Sequence, residues 1–95
     1  MLIYEVNLDV DLEIVKPFEK WLQKHIEDML NLEVIESAYY FKIHESKNKF
    51  VTHYRMESLE KLTVYYQDHS EQMRSEAHEL FTGQFRAHRR VLLAP

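Results

Sequence analysis

The order in which hydrophobic periods change along this chain constrains its fold more than any single motif. Stretches of strict alternation at 2–10, 37–44, 50–57 and 85–93 are interrupted by helix-period stretches at 13–30 and 58–82. This βαββαβ order predicts an α+β, ferredoxin-like subunit: an antiparallel sheet with two helices on one face. The other sheet face is left without a helical cover, and what lies against it bears on function. Ninety-five residues hold one core, so residues 1–95 read as a single ferredoxin-like domain that gains much from a partner.

The local signals agree with that plan. Leu2, Tyr4, Val6, Leu8 and Val10 form the apolar face of the first strand, while Ile3, Glu5, Asn7 and Asp9 form the more polar one. The first helix carries a stripe of Phe18, Trp21, Leu22, His25, Ile26 and Met29, with Pro17 near its first turn and Asn31 at its end. Residues 37–44 and 50–57 read as a hairpin across Glu45–Lys49, with Asn48 expected to be left-handed. Ser58 suits the N-cap of the second helix, whose stripe is Leu59, Leu62, Tyr66, His69, Met73, Ala77 and Leu80. A straight helix over 58–82 would run roughly 37 Å against a strand of roughly 27 Å, which predicts a break near Asp68-His69-Ser70 with Ser70 as a second cap. Gly83 occupies the position of a left-handed C-cap.

Composition excludes several chemistries. The chain has no Cys, hence no disulfide, thiolate or Cys-based zinc site. A single Gly excludes a Gly-rich phosphate loop or dinucleotide fingerprint. The net charge of −4 opposes nonspecific nucleic-acid binding. RNA-binding domains share the element order, but the third strand here, Lys49-Phe50-Val51-Thr52-His53-Tyr54-Arg55, lacks their glycine-bearing signature. Alternation also splits Arg89 and Arg90 between faces, so the basic tail Arg86–Arg90 forms no single stripe. The six His show no HxxxH or HxH pair, so no metal is expected. The serines lie in no GxSxG context. The longest apolar runs, such as Ala38–Phe41, fall far short of a membrane span, and Glu5, Asp9 and Asp11 interrupt any secretory signal, so a cytoplasmic protein is expected.

On the open face, Glu5 and Asn7 of the first strand can converge with His53 and Arg55 of the third, and Tyr40 is placed with them. A carboxylate, an amide, an imidazole, a phenol and a guanidinium suffice to anchor a polar ligand or move a proton. The same set also makes an ordinary sheet surface with cross-strand ion pairs such as Glu5–Arg55. His25, beside Trp21, is either a base reaching a cavity or a core histidine bonded to backbone.

Ile3-Tyr4-Glu5-Val6-Asn7-Leu8, the segment Trp21-Leu22-x-x-His25-Ile26-x-x-Met29-Leu30, and Phe81-Thr82-Gly83-Gln84-Phe85-x-Ala87-x-Arg89-Arg90-Val91-Leu92 carry a resemblance covering nearly the whole chain. They resemble a family of short bacterial proteins of unknown function, grouped with the dimeric α/β-barrel superfamily beside the antibiotic-biosynthesis monooxygenases. The resemblance implies a homodimer whose open sheets enclose a barrel, with no flavin or haem, and it transfers no catalytic residues.

Three readings follow. The first is a dimeric small-molecule-binding or accessory barrel protein using Glu5, Asn7, Tyr40, His53 and Arg55. The second is a cofactor-independent monooxygenase-like enzyme acting on an aromatic or polyketide-like substrate, with His53 or His25 as base and Asn7 or Arg55 stabilising an oxyanion. The third is a purely structural interaction module.

Overall fold

A computed structural model describes residues Met1–Pro95. Its elements run β1 (Leu2–Val10), a single 3₁₀ turn at Leu12–Ile14, α1 (Val15–Leu30), β2 (Ser37–Lys42), β3 (Lys49–Met56), α2 (Leu59–Asp68), α3 (Ser70–Leu80) and β4 (Phe85–Leu93). The sheet order is β2-β3-β1-β4, antiparallel throughout, which is the ferredoxin-like arrangement expected from the sequence. The β1–β3 register runs without a bulge from Leu2 opposite Met56 to Asp9 opposite Lys49. Each side chain therefore keeps the face that alternation gives it.

The helix-covered face holds the core. Tyr4, Val6, Leu8 and Val10 from β1 meet Phe18, Leu22 and Met29 from α1 and Leu62 and Tyr65 from α2, all of them buried. Phe18 sits at the centre of an aromatic cluster, with the rings of Trp21, Phe50, Phe81 and Phe85 at 5.3–6.1 Å. Within the α1 stripe, Trp21, His25 and Ile26 are only half-buried. Pro17 falls in the first helical turn, where a missing N–H costs nothing.

The second helical stretch breaks where its length requires it. His69, at φ −131°, separates α2 from α3. Ser70 does not cap the second segment, contrary to expectation. Its hydroxyl donates back to the Tyr66 carbonyl at 3.0 Å, a bond that a residue already inside the helical turn can make. The buried stripe also departs from the expected one: in α2 Leu62 and Tyr65 are buried while Leu59 and Tyr66 are exposed, and in α3 Ala77 is buried while Leu80 is exposed.

The caps divide similarly. The Ser58 hydroxyl accepts the Lys61 N–H at 3.3 Å, as expected of an N-cap. Gly83 is left-handed at φ +70°. In the β2–β3 connection Glu45, not Asn48, takes the positive φ. Asn48 instead donates its side-chain amide to the Val10 carbonyl at 2.8 Å and to Asp9 at 3.3 Å, which ties the loop to the end of β1.

Candidate functional site

Strand alternation brings three of the expected residues together on the open face. Glu5 lies opposite His53 of β3 on one side and Arg90 of β4 on the other. Glu5 is 5% exposed, so its charge must be met locally. The His53 Nε2 lies 2.8 Å from Oε1, and the Asn7 amide donates to Oε2 at 3.0 Å. The Arg90 guanidinium Nε also donates to Oε2. The hydrogen bond from Arg90, aided by those from Asn7 and His53, outweighs burial and holds the Glu5 carboxyl down at about 2. An ionised carboxylate only accepts, so the proton of the His53 contact resides on Nε2. The cluster is saturated: each oxygen of Glu5 has a donor.

Arg55 shares this face but pairs with Glu36 at 3.3 Å, at the edge of the sheet. Tyr40 does not belong to the set. It lies opposite Thr52, which faces the helices, and its hydroxyl donates to Glu19 of α1 at 2.8 Å while accepting from Gln23 at 3.2 Å. The aromatic that pairs with His53 is Tyr39. Tyr39 and Phe41 on the open side of β2, with Ile43 just past its end, form an exposed apolar row, and the Phe41 ring meets the His53 ring edge-on at 5.5 Å.

A cavity lies on the opposite side, between the sheet and the helices α1 and α3. Tyr4, Val6, Thr52 and Tyr54 form its floor. Trp21 and His25 wall it from α1, Arg74 and Ala77 from α3, and Arg89 from β4. Its volume is about 50 Å³, room for a few waters, and it opens to solvent. Trp21 and His25 stack at 4.6 Å between ring centroids, and the indole N–H donates to Glu76 of α3 at 2.9 Å. His25 makes no backbone hydrogen bond. Burial holds its imidazole down to about 4, against the opposing pull of Asp28 and Glu76, so it is neutral at pH 7. Burial likewise pushes the phenols of Tyr54 and Tyr65 above their ordinary value.

Two polar atoms of this lining are buried without a hydrogen-bond partner, Thr52 Oγ1 and Arg74 Nε. The Thr52 hydroxyl is near enough to oppose the upward shift of Tyr54, yet lies outside hydrogen-bonding geometry. Arg74 spends its Nη2 on the Tyr4 hydroxyl at 3.1 Å, which leaves Nε unused. Native interiors rarely leave such groups unmet. Of the candidate site residues expected from sequence, His25 alone lines this cavity. Arg74 and Thr52 belong to no motif and Arg89 figures only in the basic tail and the family resemblance; the placement of α3 and the register of β4 bring them together. No three His, Asp or Glu side chains gather in a metal-binding cluster. No helix is long and apolar enough to cross a membrane.

The chain belongs to the family described as a domain of unknown function, DUF4286, which matches residues 1–94. No curated protein is similar to it in sequence. Solved structures share its fold at low identity. One described as an antibiotic biosynthesis monooxygenase is 11% identical, with a TM-score of 0.80 over 100% of this chain and 99% of that one. SnoaB, a cofactor-independent oxygenase from Streptomyces nogalater, is 8% identical, with a TM-score of 0.76 over 99% and 92%. A conserved protein from Methanosarcina mazei is 16% identical, with a TM-score of 0.69 over 95% and 91%. The family and these neighbours agree with the resemblance read from the sequence.

Proposed function

We propose that this member of the family is a small-molecule-binding protein that takes its ligand between the helices and the sheet and pairs with a second copy through the open sheet face. The observation that carries the binding reading is one mostly apolar, aromatic cavity whose lining includes two residues, Thr52 and Arg74, that each hold a buried polar atom without a hydrogen-bond partner. Trp21 is the chain's only tryptophan and lines that cavity, so its emission reports occupancy directly. Titration with small aromatic probes (phenol, benzoate, benzamide) is expected to shift Trp21 emission saturably and raise the melting temperature. A panel that moves neither overturns the reading.

The homodimer reading rests on the open face. Its apolar row of Tyr39, Phe41 and Ile43 lies beside charges balanced within the chain: Glu5 with Arg90, Glu36 with Arg55, and Asp9 and Asp11 with Arg86, with Lys49 opposite Asp9. A self-complementary interface requires that balance, because a face carrying one net sign repels its own copy. Light scattering at micromolar concentration is expected to give twice the 11.6 kDa chain mass, and Phe41→Glu to give monomer. A wild-type monomer removes this half of the proposal.

A second reading, a cofactor-independent monooxygenase-like enzyme, is favoured by neutral His25 on the cavity wall, free to accept a proton. Its low proton affinity makes it a poor match for a general base working near pH 7, which ranks this reading second. Oxygen uptake with a quinol-type compound, lost in His25→Gln, would reverse the order.

A further inference from the structure

Of the five arginines in the chain, three carry a carboxylate partner: Arg55 with Glu36, Arg86 with Asp9 and Asp11, and Arg90 with Glu5. The remaining two, Arg74 and Arg89, have none, although acidic residues outnumber Lys and Arg by sixteen to twelve. Both line the same cavity. Arg74 is half-buried, with its Nε unmet, and Arg89 is exposed at the end nearer solvent. Two like charges beside one low-dielectric space repel, and the partial desolvation of Arg74 is unrewarded until an anion arrives. The remainder of the space is apolar and aromatic, between the Trp21–His25 ring pair and the floor of Tyr4, Val6 and Tyr54.

We infer that the ligand of this cavity is a planar aromatic carboxylate, its ring against the Trp21–His25 wall and its carboxylate held by Arg74 and Arg89. The inference rests on the binding reading above and adds the charge and shape of the ligand. A guanidinium presents its N–H donors as a planar fork that matches the two oxygens of a carboxylate, and neither Arg74 nor Arg89 has a carboxylate on its fork. Binding supplies that acceptor to both guanidinium groups without changing the saturated open face.

The test compares benzoate with its neutral isostere benzamide by Trp21 emission, in the full-length protein at pH 7 and 50 mM salt. Benzoate is expected to bind at least tenfold more tightly than benzamide, with affinity falling as salt rises. Arg74→Gln and Arg89→Gln should each lower benzoate affinity about tenfold and leave benzamide affinity within twofold. Arg86→Gln, on the open face, should change neither. Circular dichroism checks that the variants fold, and exposed Arg89 serves where Arg74→Gln does not. Equal affinity for benzoate and benzamide overturns the anionic ligand while the cavity stands. No binding of either compound overturns the cavity reading and this inference with it.

Discussion

On the open face of the sheet Arg55, Arg86 and Arg90 each find a carboxylate, whereas Arg74 and Arg89, on the helix side, find none. The contrast is sharpest in β4, where adjacent residues go to opposite fates. Arg90 lies opposite Glu5 and is paired; Arg89 lies opposite Val6 and is not. The difference originates in β1, whose open side carries Glu5 and Asp9 and whose helix side carries Tyr4, Val6 and Leu8. A surface that satisfies its own charges is suited to packing against another surface. A cavity that leaves donors idle is suited to a ligand that supplies the acceptors.

The largest expected effect tests whether the helix face alone carries the core. Phe18 is fully buried and touches aromatic rings from β3 and β4 as well as its own helix. Phe18→Ala is expected to destabilise the fold by about 3–5 kcal/mol in denaturant titration, through lost transfer energy and the cavity left behind. A loss below about 1 kcal/mol would mean that the open face, through the proposed dimer contact, holds the subunit together.

The two faces should also separate by pH. His25 is held at about 4, below its ordinary 6.5, so between those values the unfolded chain binds a proton that the folded chain refuses. Its contribution is therefore fully present above pH 6.5 and lost as pH falls towards 4, a change on the order of 3 kcal/mol. Glu5 is held at about 2 against 4.5, so its contribution is present above 4.5 and lost on the way down to 2. Stability measured from pH 8 to pH 2.5 should fall in two windows. His25→Gln should flatten the upper one and Glu5→Gln the lower. A single window that both variants remove would show the two faces to be coupled, and the comparison would fail.

Strand alternation made the open-face set legible where the strand patterns are clean, in β1 and β3, and there Glu5, Asn7 and His53 meet as expected. It failed at Tyr39-Tyr40-Phe41, because three consecutive aromatics carry no period, and only the pairing of Tyr40 with Thr52 decides the face. Arg90 was missed for a related reason. β4 reads Phe85-Arg86-Ala87-His88-Arg89-Arg90, with charge on both sides, so its faces follow from its register with β1 and not from its own pattern. The break was legible at Asp68–Ser70, and α3 turns Met73 and Ala77 inward as the stripe expects, but Arg74 beside them reads as an ordinary surface charge. A site that draws on the flank of a helix stripe and on a strand of unreadable face has no sequence signature of its own. The signal that does exist is a count of arginines against available carboxylates, and it acquires meaning only once the faces are known.

The smallest expected effect bears on what sets the register of β4, and hence the division of Arg89 from Arg90. Gly83 lies in the connection from α3 to β4 at φ +70°, where the Gln84 N–H donates to the Phe81 carbonyl at 3.0 Å. A Cβ built there meets nothing within 4 Å, so a substitution incurs only the backbone preference. Gly83→Ala is therefore expected to cost about 1 kcal/mol. Gly83→Asn should cost less, since Asn tolerates the left-handed region. If the turn only accommodates the register, both variants keep the benzoate affinity of the wild type, because Arg89 stays on the helix side. Should Gly83→Ala instead lose benzoate affinity as far as Arg89→Gln does while remaining folded, the turn dictates the register, and the opposition between the faces begins at this one glycine.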